Sequence, residues 1–289
     1  MAAPTGTCFN DESMIMPAEF YDTHAHLDFP DFSNDVDGVI ERAAQAGISR
    51  IVSIGTDLES SARAVALSER YASVFAVVGW HPSHAWSAPD DIRAALRDLA
   101  ARPKVVAIGE TGLDYLRVTD SGQPVEDSEI GRIKSKQADL FEQHLEVAAE
   151  LGLNCVIHQR ESFEATFAQM LPYAGRVRGV FHCFVNTPDE VRRVLEIGSI
   201  VSFTGILTFK NAASVREALA ATPMGSFMLE TDCPFLAPMP YRGKRCEPAY
   251  VAHTAAMAAQ VKECDLETLS AATCATATGF FHPTRFSVG

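Results

Sequence analysis

No stretch of this chain is long and apolar enough to span a bilayer, and Met1 to Phe20 carries neither a basic leader nor a continuous apolar segment. That predicts a soluble protein with a loose N-terminal extension over residues 1–19 and no membrane partner. Cysteine is sparse and unpatterned: seven in 289 residues, an odd number with no Cys-x-x-Cys pair. This argues against a disulfide framework or a structural zinc site and fits the reducing cytoplasm. Positive charge is also short, with 24 Lys and Arg against 37 Asp and Glu and a net charge of −13. Sequence-independent wrapping of nucleic acid draws on many Lys and Arg contacts to phosphate, so that class is disfavoured. A nuclease is not excluded, because bound divalent cations locally invert the sign of an acidic pocket. No low-complexity segment or interdomain linker interrupts the chain, and residues 20–289 read as one domain.

What the sequence does have is alternation. Apolar strand-like runs at Phe20–His26, Arg50–Gly55, Val74–His81, Val105–Glu110, Asn154–His158, Gly179–Phe184, Ile200–Thr204 and Phe227–Asp232 are separated by longer stretches. Among those, Asp35–Ala46, Leu58–Tyr71, Asp139–Leu151 and Pro188–Ile197 carry apolar residues at helical spacing, with Gly47, Gly152 and Gly198 as helix stops. Eight such repeats predict an α/β fold, a single closed (β/α)8 TIM-type barrel. The aperiodic segment Val118–Glu129, with Gly122, Pro124 and several acids, reads as a long loop over the catalytic face.

Potential metal ligands recur where the apolar runs end, which is where such barrels carry their chemistry. In Asp22-Thr23-His24-Ala25-His26 the two-residue strand period points Asp22, His24 and His26 to one side. Alone, a His-x-His pair fits a divalent metal and a packed histidine pair equally. Glu110, in Gly-Glu-Thr-Gly-Leu-Asp, can bridge two cations or be satisfied by loop amides or a surface Arg; Asp114 reads as a loop or supporting group. His158 ends a strand with Arg160 two residues on, so a ligand and a phosphate-binding guanidinium would sit together, unless Arg160 pairs with Glu161 or Glu164. His182, taken alone, reads more readily as a buried hydrogen-bonded histidine. Asp232 closes the last strand, placed to bind metal and accept a proton, while Glu230 either orients a histidine or forms an ion pair. His81, in Gly-Trp-His-Pro, lacks an obvious coordination partner and reads as a substrate or supporting contact. No duplex-reading helix or aromatic stacking platform is visible.

Together these motifs resemble the TatD family of metal-dependent deoxyribonucleases, among the amidohydrolase-like barrels, over about Phe20 to Phe281. The resemblance also takes in the helix from Gln137 to Leu151, Ser-Phe-Thr-Gly-Ile-Leu-Thr-Phe-Lys210-Asn211 and Tyr-Arg242-Gly-Lys244-Arg245. It implies two divalent ions, Mg, Mn or Zn, with His24, His26 and Asp232 holding one, His158 and His182 the other, and Glu110 between them. The chain departs from the family at Val185-Asn186, Cys246 and Thr276, none of them a ligand. The reaction so implied is metal-assisted phosphodiester hydrolysis with Asp232 and Glu110 as catalytic groups. His81, Arg160, Lys210, Arg242, Lys244 and Arg245 are the candidate contacts to a single-stranded DNA end, degraded from the 3′ side. A small-molecule amidohydrolase or lactonase is the alternative, and Glu110 in place of a carboxylated lysine weighs against it.

Overall fold

The computed structural model describes residues 18–116, 126–281 and 285–286. Eight parallel strands follow one another in sequence order, β1 (Phe20–Ala25), β2 (Ile48–Ile54), β3 (Val74–Val78), β4 (Val105–Asp114), β5 (Cys155–Arg160), β6 (Gly179–Phe181), β7 (Ile200–Phe203) and β8 (Phe227–Leu229). The helices between them are α1 (Val36–Gln45), α2 (Leu58–Arg70), α3 (Arg93–Ala100), α4 (Asp127–Leu151), α5 (Phe163–Met170), α6 (Pro188–Glu196) and α7 (Ala213–Ala221), with α8 (Val251–Val261) and α9 (Leu266–Phe280) after β8. This is the (β/α)8 barrel the alternation predicts. Residues 1–17, most of the expected extension, lie outside the described residues.

The strands are apolar on both faces because both are covered, as parallel sheets require. Alternate residues separate into two cores. Val52, Ile54, Phe75, Val77, Val106, Val156, Val180, Ile200 and Met228 belong to one apolar cluster, and Ile51, Val74, Ala76, Val78, Ile157 and Val201 join the larger cluster that contains the helices. Phe280, Phe281 and Phe286 pack into the first cluster, so these three rings close the barrel floor opposite the ligand-bearing ends. Helix starts are fixed locally. Asp57 caps α2 by accepting from Ser60 N–H, and Thr187 and Glu190 form a reciprocal capping box on α6. Gly152 ends α4 in the left-handed conformation, where a Cβ is penalised.

Several expected boundaries move. β3, β6 and β8 stop at Val78, Phe181 and Leu229, short of His81, Phe184 and Asp232, because the strands hand over to loops at the barrel mouth. β4 runs the other way, past Glu110 to Asp114, pairing with β5 from Thr111↔Ile157 to Asp114↔Arg160. Helix α4 begins at Asp127 rather than Asp139, so the end of the expected Val118–Glu129 loop is its first turn, and residues 117–125 lie outside the described residues. Among the described residues no helix is long and apolar enough to cross a membrane.

Candidate active site

The barrel closes where the first and last strands meet. Asp232 N–H donates to His24 O at 2.9 Å and His26 N–H to Cys233 O at 2.8 Å. Beneath them the buried Asp22 carboxylate accepts from Thr231 N–H at 2.9 Å and from Thr231 Oγ1–H at 2.6 Å. These bonds bring His24, His26 and Asp232 together: the two Nε2 atoms are 3.4 Å apart, and Asp232 Oδ1 lies 3.6 Å from His24 Nε2 and 3.3 Å from His26 Nε2. Asp232 has a positive φ of 60°, as does Cys183 beside His182 at 47°. Both non-glycine residues sit in a costly region of backbone space, a feature that clusters at functional sites.

Glu110 is at the centre, almost fully buried, at an irregularity in the β4–β5 register. Its Oε2 lies 3.3 Å from His24 Nε2 and 3.8 Å from His26 Nε2. Its Oε1 faces the other side, 2.7 Å from His182 Nε2, 2.9 Å from His158 Nδ1 and 3.2 Å from His81 Nε2. Three groups of donors arise, His24/His26/Asp232, His24/Glu110/His182 and His81/Glu110/His158, each with ligand atoms within 4.8 Å of one another. The two groups that contain Glu110 overlap through it. Glu110 Oε2 and His24 Nδ1 are buried without a hydrogen-bond partner, an expense that a cation among these nitrogen and carboxylate donors would relieve. The donor set therefore fits a pair of divalent ions.

Two of the outward-facing ring atoms are tied down, which decides what the inward ones offer. His26 Nδ1 is 3.2 Å from Ile54 O and His158 Nε2 is 3.2 Å from Asp114 Oδ2, and each oxygen holds a proton on that nitrogen and leaves the opposite lone pair facing the centre. His182 Nδ1 faces Glu230 Oε1 at 3.5 Å, an ion-pair contact without a hydrogen bond. Glu230 is itself fixed by Cys183 N–H and Ser202 Oγ–H, each at 2.7 Å. His81 is oriented the other way. Its Nδ1 accepts from Ser83 N–H at 3.1 Å, so the neutral ring carries its proton on Nε2, aimed at Glu110 Oε1. His81 is built as a hydrogen-bond donor at the rim of the ligand cluster.

Charges follow from the same contacts. Burial opposes the Glu110 carboxylate, but His182, His81 and His24 hold it well below the usual range, and it stays anionic. Burial likewise opposes ionisation of Asp232, which His26 and His24 outweigh. His24, the most enclosed ring, is driven down by burial and then by His182. Burial pushes Asp22 up to about 8 despite its Thr231 bonds.

A cavity of about 520 Å³ opens above the cluster. Arg160 is exposed on its wall; of its two expected partners, Glu161 and Glu164, the second takes Arg193 instead, and among the described residues neither forms an ion pair with Arg160. Lys210, Arg242 and Lys244 are exposed but do not line the cavity; the Arg242 guanidinium lies 3.8 Å over the Phe209 ring. Arg245 is held away from the cavity by Asp35 at 2.7 and 2.8 Å and by Asp31 O at 2.7 Å, pinning this loop to α1. Two supports escaped the sequence reading. Gln137 bonds Asp114 N–H and Asp114 O at 3.0 and 3.1 Å, and His144 accepts from Trp80 N–H at 2.8 Å, next to His81. Both are polar residues on the apolar face of α4, the one signal that could have found them. Phe29 and Phe235 both line the cavity.

An eight-stranded barrel with clustered histidines and carboxylates at its C-terminal mouth defines a metal-dependent hydrolase. The particular family is given by comparison: the chain belongs to the family described as TatD related DNase, whose profile matches residues 21–282. It is 36% identical to the "Uncharacterized metal-dependent hydrolase YabD" of Bacillus subtilis over 90% of this chain and 98% of that protein. It is 34% identical to the "3'-5' ssDNA/RNA exonuclease TatD" of Enterobacter lignolyticus over 88% of this chain and 95% of that one. The crystal structure of YJJV, a TatD homologue from Escherichia coli K12, superposes with a TM-score of 0.82 at 28% identity, covering 91% of this chain and 98% of that one.

Proposed function

We propose that this protein is a divalent-metal-dependent nuclease that removes nucleotides from the 3′ end of single-stranded DNA. The observation that carries the reading is Glu110, an ionised, buried carboxylate whose two oxygens face different histidine groups. His24, His26 and Asp232 would hold one ion and His158 and His182 the other, with Glu110 available to both. Such cations, Mg, Mn or Zn, would polarise the phosphoryl group and make a water molecule acidic enough to attack at neutral pH.

The chain's own residues do the rest. Asp232 is anionic, and its side chain, unlike the buried Glu110, is partly open at 15% exposure against 2%. It takes the proton released as water attacks. The His81 Nε2–H donates to a nonbridging phosphoryl oxygen, and the Arg160 guanidinium supplies a planar fork to the same group. Asp114 and Ile54 O hold the His158 and His26 rings in place, so their geometry is set before substrate arrives. Arg242, Lys244 and Lys210 contact phosphates further along the strand. The cavity volume lies within the range of small-ligand pockets, which suits a flexible terminus better than a stiff duplex.

End-labelled single strands, linear and circular, test this with added Mg²⁺ or Mn²⁺ and with chelator. The expected result is a metal-dependent ladder shortening from the 3′ end and an inert circle. Equal cleavage of circle and line would replace it with an endonuclease, and turnover of amides or lactones alone would replace it with the small-molecule hydrolase.

A further inference from the structure

The residues lining the cavity fall into two chemically different sets. One is polar, with His81, Glu110, His158, Arg160 and Asp232, and the other is apolar, with Phe29, Ile206, Phe235 and Leu236. Phosphate chemistry needs only the first. The second is organised around the first: Phe29 stacks on His26 with ring centroids 4.7 Å apart and 24° between planes, and Phe235 stands edge-on to His26 at 6.4 Å. Phe29 and Phe235 are themselves nearly perpendicular, 81° apart at 6.1 Å. They form an aromatic corner whose apex is a candidate ligand ring. Phe235 is fixed from below, its N–H donating to Asp232 O at 3.0 Å, yet the side chain is half exposed.

A single exposed phenylalanine needs no explanation. This one is different in combination: it is anchored by the backbone of Asp232, paired with a second ring, and part of a pocket that also presents the Arg160 guanidinium. A ligand that meets both sets carries a phosphate and a flat apolar group a few bonds apart. Among the substrates of the proposed reaction, which this inference rests on, that group is the base of the terminal nucleotide.

We propose that Phe235 is the stacking platform for the terminal nucleobase, with Phe29 closing the corner edge-on, so that the enzyme grips the end of the strand by base and phosphate together. Every base has a π-face, so the contact secures a terminus without reading sequence.

The test is calorimetric binding of thymidine 5′-monophosphate and of 2′-deoxyribose 5-phosphate to the metal-loaded full chain. The wild type is expected to bind the nucleotide roughly tenfold more tightly than the base-free sugar phosphate, within the range measured for base–aromatic stacking. Phe235→Ala removes that preference, read as the ratio of the two affinities measured on the same variant, while Phe235→Trp keeps or raises it. A wild-type ratio near one, or a ratio that survives Phe235→Ala, overturns the assignment. A preference that behaves as expected in a protein that cuts no oligonucleotide upholds the stacking site and rejects the nuclease.

Discussion

His144 offers the sharpest physical test, because both of its nitrogens are assigned. On the buried side of α4, Nδ1–H donates to Leu140 O at 2.6 Å and Nε2 accepts from Trp80 N–H at 2.8 Å. Only the neutral ring can do both, and burial pushes its pKa from 6.5 down to about 4. Between those values the unfolded chain binds a proton that the folded one refuses. The stability tied to the neutral ring is therefore complete above pH 6.5 and is lost as pH falls toward 4, by up to ~1.4 kcal/mol per pH unit and ~3 kcal/mol in all. His144→Phe keeps the bulk, abolishes this titration and leaves Trp80 N–H unpaired, at a cost of ~1–3 kcal/mol at neutral pH. Urea unfolding of both proteins from pH 7.5 to 4.5, in chelator, is the assay. The variant should start less stable and fall less steeply, so that the curves converge in acid, while histidines common to both proteins cancel. Parallel curves would refute the reasoning.

Metal content of folded variants should separate the two sites: Glu110→Ala loses both ions, whereas His158→Ala loses one and keeps that at His24, His26 and Asp232. Equal loss in both would merge the sites into one unit. Gly112 has a φ of +126°, and a Cβ there would come 2.1 Å from His158 O, so Gly112→Ala should destabilise by ~3 kcal/mol. Gly131, with nothing within 4 Å of an added Cβ, is the control, where Ala gains up to ~1 kcal/mol in thermal melts. Lys210→Ala and Arg242→Ala should each raise KM on oligonucleotides and lower the salt slope of binding by about one. An unchanged slope would mean that these cations only solvate the surface.

The fold was legible because eight buried strands leave eight apolar runs, and burial on both faces makes those runs continuous. The candidate ligands were legible too, since each falls within a few residues of a run's end. Where reading failed, the cause was contact at a distance. β4 was expected to stop at Glu110, yet it continues to Asp114 because Gly112, lacking a Cβ, lies against the β5 backbone at His158. The first turns of α4 are polar and solvent-facing, without the periodicity that revealed Asp139–Leu151. His144 and Gln137 look like misplaced polar residues until Trp80 and Asp114 are brought against them. The tautomer of His81 depends on Ser83 N–H, a backbone group with no sequence signature. Phe29 and Phe235 follow the first and last strands, so only a closed barrel makes them neighbours.

The seam between β1 and β8 has a further consequence. It is held by the isolated Ala25↔Cys233 bridge and a few bonds around it, at the same level as His24, His26 and Asp232. An ion bound there would be a clasp fastening the two ends of the sheet. Occupancy and closure are then one equilibrium: an ion that binds only the closed form adds RT ln(1 + [L]/Kd) to its stability, about 2.7 kcal/mol at one hundred times Kd. Starved of metal, the barrel should gape along this line before it melts anywhere else, and amide exchange at Asp232 and His26 would show the opening first.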